Sequence, residues 1–403
     1  MKRTILFAVV VGLSCLMSHP LGLKAQNREA SKQKAGANDA DWPCWRGSNG
    51  DAKSPMKGIR KDWTGGLKKL WEVNDLLFGK DANTWSAPSI KGDKLVTMGR
   101  NGRDGTNGAD LVWCLDANKG TPVWKNEYLA EGRCYYGTGA RATPYIDGDK
   151  VYTFGNFGHL TCFNLADGKQ VWQKVVGRPR WGAACSPVVY KNMVIAQGGG
   201  KSGVIAFRKD TGDELWRSEG PGEPSYSSPL VATISGKEHL LVFLEGEFRD
   251  LDPETGKVLW KTPFGGQVIV APVIEGETVF ITCSAGGKTF QVSTSEAKEL
   301  WASKVLSSQC SDPVVLNGYI YGYAGAGNGP GFLKCVELRT GTEKWTGGRE
   351  SGGSLILIDG YLLCFTTRGD ISLVEPTPDA FRKVTEFKAA IGPPKGDGKT
   401  WTP

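Results

Sequence analysis

A phrase of nine or ten residues returns six times along this chain, and its period limits the fold before any single element is read. LDANKGTPVW ends at Trp124, FNLADGKQVW at Trp172, RKDTGDELW at Trp216, LDPETGKVLW at Trp260, VSTSEAKELW at Trp301 and ELRTGTEKW at Trp345, with gaps of 48, 44, 44, 41 and 44 residues. A second mark keeps the same pace. It is a small residue, a proline and then apolar residues, with prolines at 88, 144, 187, 229, 272 and 313.

Between the two marks each unit holds short apolar or alternating runs broken by glycine and asparagine turns, as in PVVYKN, MVIAQGGG, GVIAFRKDTG and DELWRSEG. Four strands per unit follow. The Asp-x-x-Thr-Gly piece is a hairpin turn, because Asp bonds nearby backbone and Gly takes a positive φ just before the outermost strand. No unit carries a helical pattern, so the sheets must pack on one another, and four-stranded units of this length are the blades of an all-β propeller. The recurring indole then has a physical task. At the start of an outer strand it covers the next blade, burying on the order of 150–250 Å² and giving its N–H a backbone acceptor. That role is expected for Trp71, Trp124, Trp172, Trp216, Trp260, Trp301 and Trp345. A sugar-binding platform is the alternative for these indoles, and their even spacing favours packing.

The N-terminus predicts export. Lys2 and Arg3 precede an apolar run from Ile5 to Leu13, too short for a stable membrane span, and Leu23-Lys24-Ala25 offers a cleavage end. The expected organisation is a signal peptide over 1–25, a flexible linker over 26–40 and a propeller over 41–403. The chain is then periplasmic or extracellular, with lipid anchoring through Cys15 as the alternative. Loss of Lys2, Arg3 and Lys24 lowers the formal charge from +7 to +4, spread without a dense basic block, which argues against nucleic acid. Of ten cysteines nine remain, with neither the Cys-x-x-Cys spacing of zinc sites nor the haem motif. Cys114, Cys162 and Cys335 fall at one repeat position and are expected in separate blades, while a Cys134–Cys185 bridge would join neighbouring loops.

On these residues the chain resembles the pyrroloquinoline-quinone-type repeat propellers, whose docking signature is similar to Ala-x-Asp-x-x-Thr-Gly-x-x-x-Trp. Its DWPCWRGSNGD at 41–51 is similar to an opening of exported members. The family holds quinoprotein dehydrogenases and also a non-enzymatic eight-bladed lipoprotein of outer-membrane assembly, so the resemblance implies the fold and leaves the task open. It implies a pair of adjacent cysteines at a quinone site, and no Cys-Cys dipeptide occurs here. Six units carry the indole. A seventh, from Gly352, has Ser354 for the proline and Lys383 for the tryptophan. GKTWTP at 398–403 reads as the start of an eighth, and LKKLWEV at 67–73 as its outer strand. The expected architecture is therefore an eight-bladed quinoprotein-like ring with seven complete blades and an incomplete eighth shared with the N-terminal strand.

In this family the loops before each proline gather at one end of the central channel. By sequence that rim holds Trp85, Arg141, Cys185, Tyr226, Val270, Gln309 and Trp401, and two long loops add Arg133, Tyr136, Arg178, Arg180 and Trp181. Arginine beside aromatics suits an anionic or sugar-like ligand; the alternative is solvated arginines over packed loop roots. Asn101, Asp104, Asn107 and Asp110 offer oxygens to a cation, but their spacing does not fit an EF-hand and the loop also carries two arginines, which favours an ordinary polar turn. Glu245 and Glu247 alternate on a strand and could form a carboxylate pair, with solvation of a sheet edge as the other reading. GYAGAGNGPG, near Gly325, lacks the ending of a phosphate loop. The two mature histidines, His159 and His239, lie in different units, are read as turn or surface residues, and exclude a His-rich metal centre. No catalytic, cofactor or metal residue is assigned. The expected function is a non-catalytic binding or scaffolding module with a protein partner in the cell envelope. The alternatives are a quinone- or metal-dependent oxidoreductase of an alcohol or sugar, and a carbohydrate-binding propeller.

Overall fold

The computed structural model describes residues 41–73, 84–101, 108–132, 139–180, 182–200, 203–220, 222–244, 246–325 and 330–388. The expected signal peptide, linker and GKTWTP segment lie outside them, as do Arg133, Cys134, Tyr136, Trp181 and Trp401. Every regular element among the described residues is a strand.

Seven sheets, each built on four consecutive antiparallel strands, follow one another in sequence order, each running from its innermost to its outermost strand; the last gains a fifth strand from the N-terminal region. These blades span 89–129, 145–175, 188–217, 230–263, 273–303, 314–351 and 353–387. The middle strands are buried on both faces. Met193–Gly198 is wholly enclosed, and Gly203–Arg208 is enclosed up to its last residue. The outer strand Pro122–Leu129 instead alternates, with Trp124 and Tyr128 turned inward. The core is correspondingly layered between blades. Tyr152, Phe154 and Trp172 of the second blade meet Val189, Val194 and Ile205 of the third, and the same arrangement joins the first blade to the second, the third to the fourth and onward.

Each indole docks on the following unit at one repeated acceptor. Trp71 Nε1 donates to Ala117 O, Trp124 to Leu165 O, Trp172 to Lys209 O and Trp216 to Pro253 O, at 3.0, 2.8, 2.9 and 3.2 Å. Trp260, Trp301 and Trp345 donate to Ser293, Leu338 and Thr377 carbonyls at 3.1, 2.9 and 2.7 Å. The turn that offers the acceptor is held by its own aspartate, as where Asp116 Oδ1 accepts the N–H groups of Asn118 and Lys119 at 2.9 and 3.0 Å. Its glycine meets two demands at once. Gly120 has φ +70°, and a Cβ there would lie 2.5 Å from the ring of Trp71; Gly256 repeats this at φ +71° and 2.3 Å from Trp216. Opposite each docking indole that lies in a strand a one-residue bulge turns the outer strand, with Cys114, Cys162 and Cys335 facing Trp124, Trp172 and Trp345. Those thiols are buried in separate blades.

Two expectations about ring closure change. In the seventh blade Leu373 pairs with Thr385, whereas Lys383 pairs with Val374 beyond the bulge, so Thr385 stands in the place of the indole. Residues 67–73 form no strand, although Trp71 docks on the first blade as the other indoles dock on theirs. Among the described residues, the gap between the seventh and first blades holds an irregular N-terminal strap and is bordered by both blades. Met56, Ile59, Trp63 and Leu67 pack on Ile358, Leu363 and Leu373 of the seventh blade, and Trp71 and Val73 pack on Leu95 and Leu115 of the first.

Before reaching that gap the strap crosses the end of the channel where the innermost strands finish. Trp42 pairs with Ile90 of the first blade, and Pro43 O accepts Ile146 N of the second at 2.8 Å. Arg46 then reaches the carbonyls of Pro272 and Pro313, both at 3.1 Å, and Lys53–Ser54 adds a parallel fifth strand to Gly353–Ile358 on the inner edge of the seventh blade. The small residue before each proline also acquires a reason. Thr143 N donates to Ser186 Oγ and Ser186 N to Ser228 Oγ, both at 2.9 Å, and Ala271 N donates to Asp312 Oδ1 at 2.6 Å. These side chains link neighbouring inner strands around the axis.

Candidate functional site

The loops before the prolines open at the other end of the channel. They are tied to one another by backbone bonds and one serine hydroxyl. Trp85 N donates to Ala140 O at 2.8 Å, Ser86 Oγ donates to Ala142 O at 2.8 Å, and Tyr226 N donates to Val268 O at 3.1 Å. This brings residues from three blades together. The Arg141 guanidinium lies 5.2 Å from the ring centre of Trp85 and 5.7 Å from that of Tyr226, and Nη1 donates to Asn156 Oδ1 at 2.8 Å. Asn156 is fully buried in the turn after Phe154, which fixes the guanidinium plane. Gly182, at φ +87°, leaves the necessary room, because a Cβ there would stand 2.0 Å from Asn156 Oδ1 and 2.4 Å from Arg141 Nη1.

Arg178 and Arg180 sit exposed on the adjoining loop. The Arg178 guanidinium lies 4.9 Å from the Phe157 ring centre. Glu223 pins this loop by accepting Arg180 N and Gly200 N, both at 2.9 Å. Cys185 and Val270 are buried beneath the rim. Sequence reasoning found Trp85, Arg141 and Tyr226 through their place before the prolines. It missed Asn156, Gly182 and Glu223, whose only signal is a glycine or a polar residue in an inter-strand turn.

Other polar groups turn inward. Asp110, weighed as a cation ligand against a place in an ordinary polar turn, is fully buried and pairs with Arg100 at 3.1 Å across the hairpin, where the two residues stand directly opposite. Asn101 donates to Glu127 Oε1 at 3.2 Å, and Asp104 and Asn107 lie outside the described residues. Among the described residues no three His, Cys, Asp or Glu side chains gather as a metal site. Glu247 pairs with Arg249 and Lys261, and Glu245 lies outside the described residues. Both histidines are in strands rather than turns, and His239 is fully buried with Nδ1 2.5 Å from Asp250 Oδ2. The cross-strand register that sets Leu240 against Leu251 brings that pair together.

Burial pushes the Asp110 carboxyl up to about 6, against the attraction of Arg100. A carboxyl whose folded value is raised contributes stability that is fully present below its unfolded value, near 3.8, and lost as pH rises through about 6. The stability of the parent chain relative to Asp110→Asn is therefore expected to fall between pH 4 and 6.5, by on the order of 2–3 kcal/mol. Urea unfolding of both proteins across that range checks the sign. A margin that grows with pH would place the attraction of Arg100 above the cost of burial.

The profile of the family described as outer membrane protein assembly factor BamB matches residues 108–346 and, overlapping them, 245–377. No curated protein matches the sequence significantly. Among solved structures, BamB from Moraxella catarrhalis has a TM-score of 0.55 at 14% identity, covering 77% of this chain and 88% of its own. The quinohemoprotein alcohol dehydrogenase ADHIIG from Pseudomonas putida HK5 has a TM-score of 0.62 at 13% identity, with 87% and 73% covered. The computationally designed Ika8 protein has a TM-score of 0.53 at 13% identity, with 77% and 89% covered. Identities this low carry the fold and nothing about the task. The profile match spans more than half of the chain, and the protein belongs to the PQQ-type repeat propeller family described as outer membrane protein assembly factor BamB.

Proposed function

We propose that the protein is an exported, non-catalytic propeller that serves as a binding or scaffolding module in the cell envelope, docking an acidic segment of a partner protein at the rim before the prolines. The observation that carries this reading is Arg141 held between Trp85 and Tyr226 with its plane set by Asn156. A guanidinium fixed in this way meets a carboxylate with little further ordering, and Arg178 and Arg180 on the next loop extend the positive field. Family membership supports a binding role, and the missing Cys-Cys dipeptide weighs against quinone chemistry.

The test is a crosslinking pull-down from envelope extract with the chain lacking residues 1–25. A discrete partner should be recovered, and Arg141→Ala should reduce its recovery about tenfold or more, the loss of one central charge-assisted contact. Recovery unchanged by Arg141→Ala moves the docking face elsewhere. Dye reduction with an alcohol or sugar after addition of quinone and calcium would replace this reading with the oxidoreductase one.

A further inference from the structure

The strap does not lie flat on every blade it crosses. It bonds the first and second blades through Trp42 and Pro43, the fifth and sixth through Arg46, and the seventh through Ala52 and Lys53. Over the third and fourth blades a cavity of about 590 Å³ lies between the strap and the inner strands Val188–Tyr190 and Leu230–Ile234, closed on one side where a Cβ on Gly50 would stand 3.0 Å from Leu230 Cδ1. That volume falls within the usual range of small-molecule sites.

The lining has a definite chemistry. Trp45 on the strap and Tyr145 and Tyr190 on the inner strands give the lining its aromatic surface, with the Lys191 ammonium 5.0 Å over the Tyr190 ring. Four charged residues border the space, Asp147 and Glu238 against Lys191 and Lys209, so the lining carries no net charge. Asp147 and Lys209 are held together at 2.8 Å, and Lys191 is paired with Glu254. Ser186 and Ser228 also line it, each accepting a backbone N–H from the neighbouring inner strand. Asn49 adds an exposed amide at the mouth.

We propose that this chamber binds a neutral saccharide, a mono- or short oligosaccharide, at the end of the channel opposite the rim. A sugar ring presents C–H faces to aromatic side chains and an edge of hydroxyls that both donate and accept. Paired carboxylates and ammoniums satisfy such an edge without favouring either sign of charge. An anionic ligand would leave the two lining carboxylates opposed to it. The site is independent of the rim: partner capture depends on Arg141, and sugar binding depends on Asp147 and Asn49.

The full chain should be titrated with glucose, N-acetylglucosamine, maltotriose, cellotriose and chitotriose, followed by saturation-transfer NMR and tryptophan fluorescence. At least one should bind. Asp147→Asn should weaken that binding about tenfold, Asn49→Trp should block the mouth, and Arg141→Ala should leave it unchanged. Asn49 is exposed, so its variant keeps the test informative if Asp147→Asn perturbs the fold. No binding across the panel would overturn the proposal. So would binding unaltered by Asn49→Trp in a protein with the parent's urea midpoint, or a clear preference for sialylated or phosphorylated sugars.

Discussion

Arg46→Met should lower the stability of the folded chain by about 2–4 kcal/mol, read as a lower urea midpoint with an unchanged slope. Arg46 is buried, takes a left-handed φ of 60° and donates to the carbonyls of two prolines in neighbouring blades. It also counters Asp312, whose carboxyl is raised by burial and lowered again by the Arg46 charge and by the Ala271 N–H. Methionine fills part of the volume but leaves two carbonyls without their donor and Asp312 without its cation. The cost of such orphaned groups exceeds the worth of the intact pair. Adding Asp312→Asn to Arg46→Met should recover part of the loss. A change below about 0.5 kcal/mol in Arg46→Met, within the range of ordinary surface substitutions, would show that the strap lies over the ring without bracing it.

The strap is also where the sequence says least. The blades were legible because each repeats the same needs at the same spacing: an aspartate to hold a turn, a glycine to admit both a positive φ and a neighbouring ring, an indole to cover it. Residues 41–73 occur once, carry no alternation and are fixed by contacts with the far end of the chain, as between Gly58 N and Asp359 Oδ2, 301 residues apart. Local pattern holds no record of such contacts. The same limit explains Asp110, which looks like one oxygen among several in a polar stretch. It becomes the partner of Arg100 only when the hairpin register sets the two side by side. His239 and Asp250 meet through register in the same way. In the seventh blade, misplacing the docking position by two residues at Lys383 follows from the longer turn before Thr385, since the bulge, not the residue count, sets which side chain faces the neighbour. At the rim the pre-proline positions identified which loops converge. The orientation of Arg141 depends on Asn156 and Gly182, which belong to other turns.

Trp172→Ala should remove about 3–5 kcal/mol, more than any substitution confined to one blade's exposed edge. The indole is 7% exposed, donates at 2.9 Å to Lys209 O in the third blade, and packs 6.0 Å from the ring centre of the buried Tyr152. Its loss opens a cavity between two blades that each depend on the other for their buried face. Tyr152 OH, at 3.2 Å, also donates to that carbonyl, so the acceptor is not wholly abandoned and the missing volume dominates. Trp172→Phe separates the two contributions. It keeps most of the ring but removes the donor, and should cost about 1–2 kcal/mol. The docking turn supplies a sharper test. Gly212 sits at φ +74°, and a Cβ there would lie 2.8 Å from the indole of Trp172. Gly212→Ala in the parent therefore meets both backbone strain and the ring, while in Trp172→Ala it meets backbone strain alone. The second substitution should be less costly by about 1 kcal/mol or more when the indole is already gone, the non-additivity expected of residues in contact. Costs that simply add would mean that the glycine serves the turn alone and that the indole rests on the next blade without shaping it.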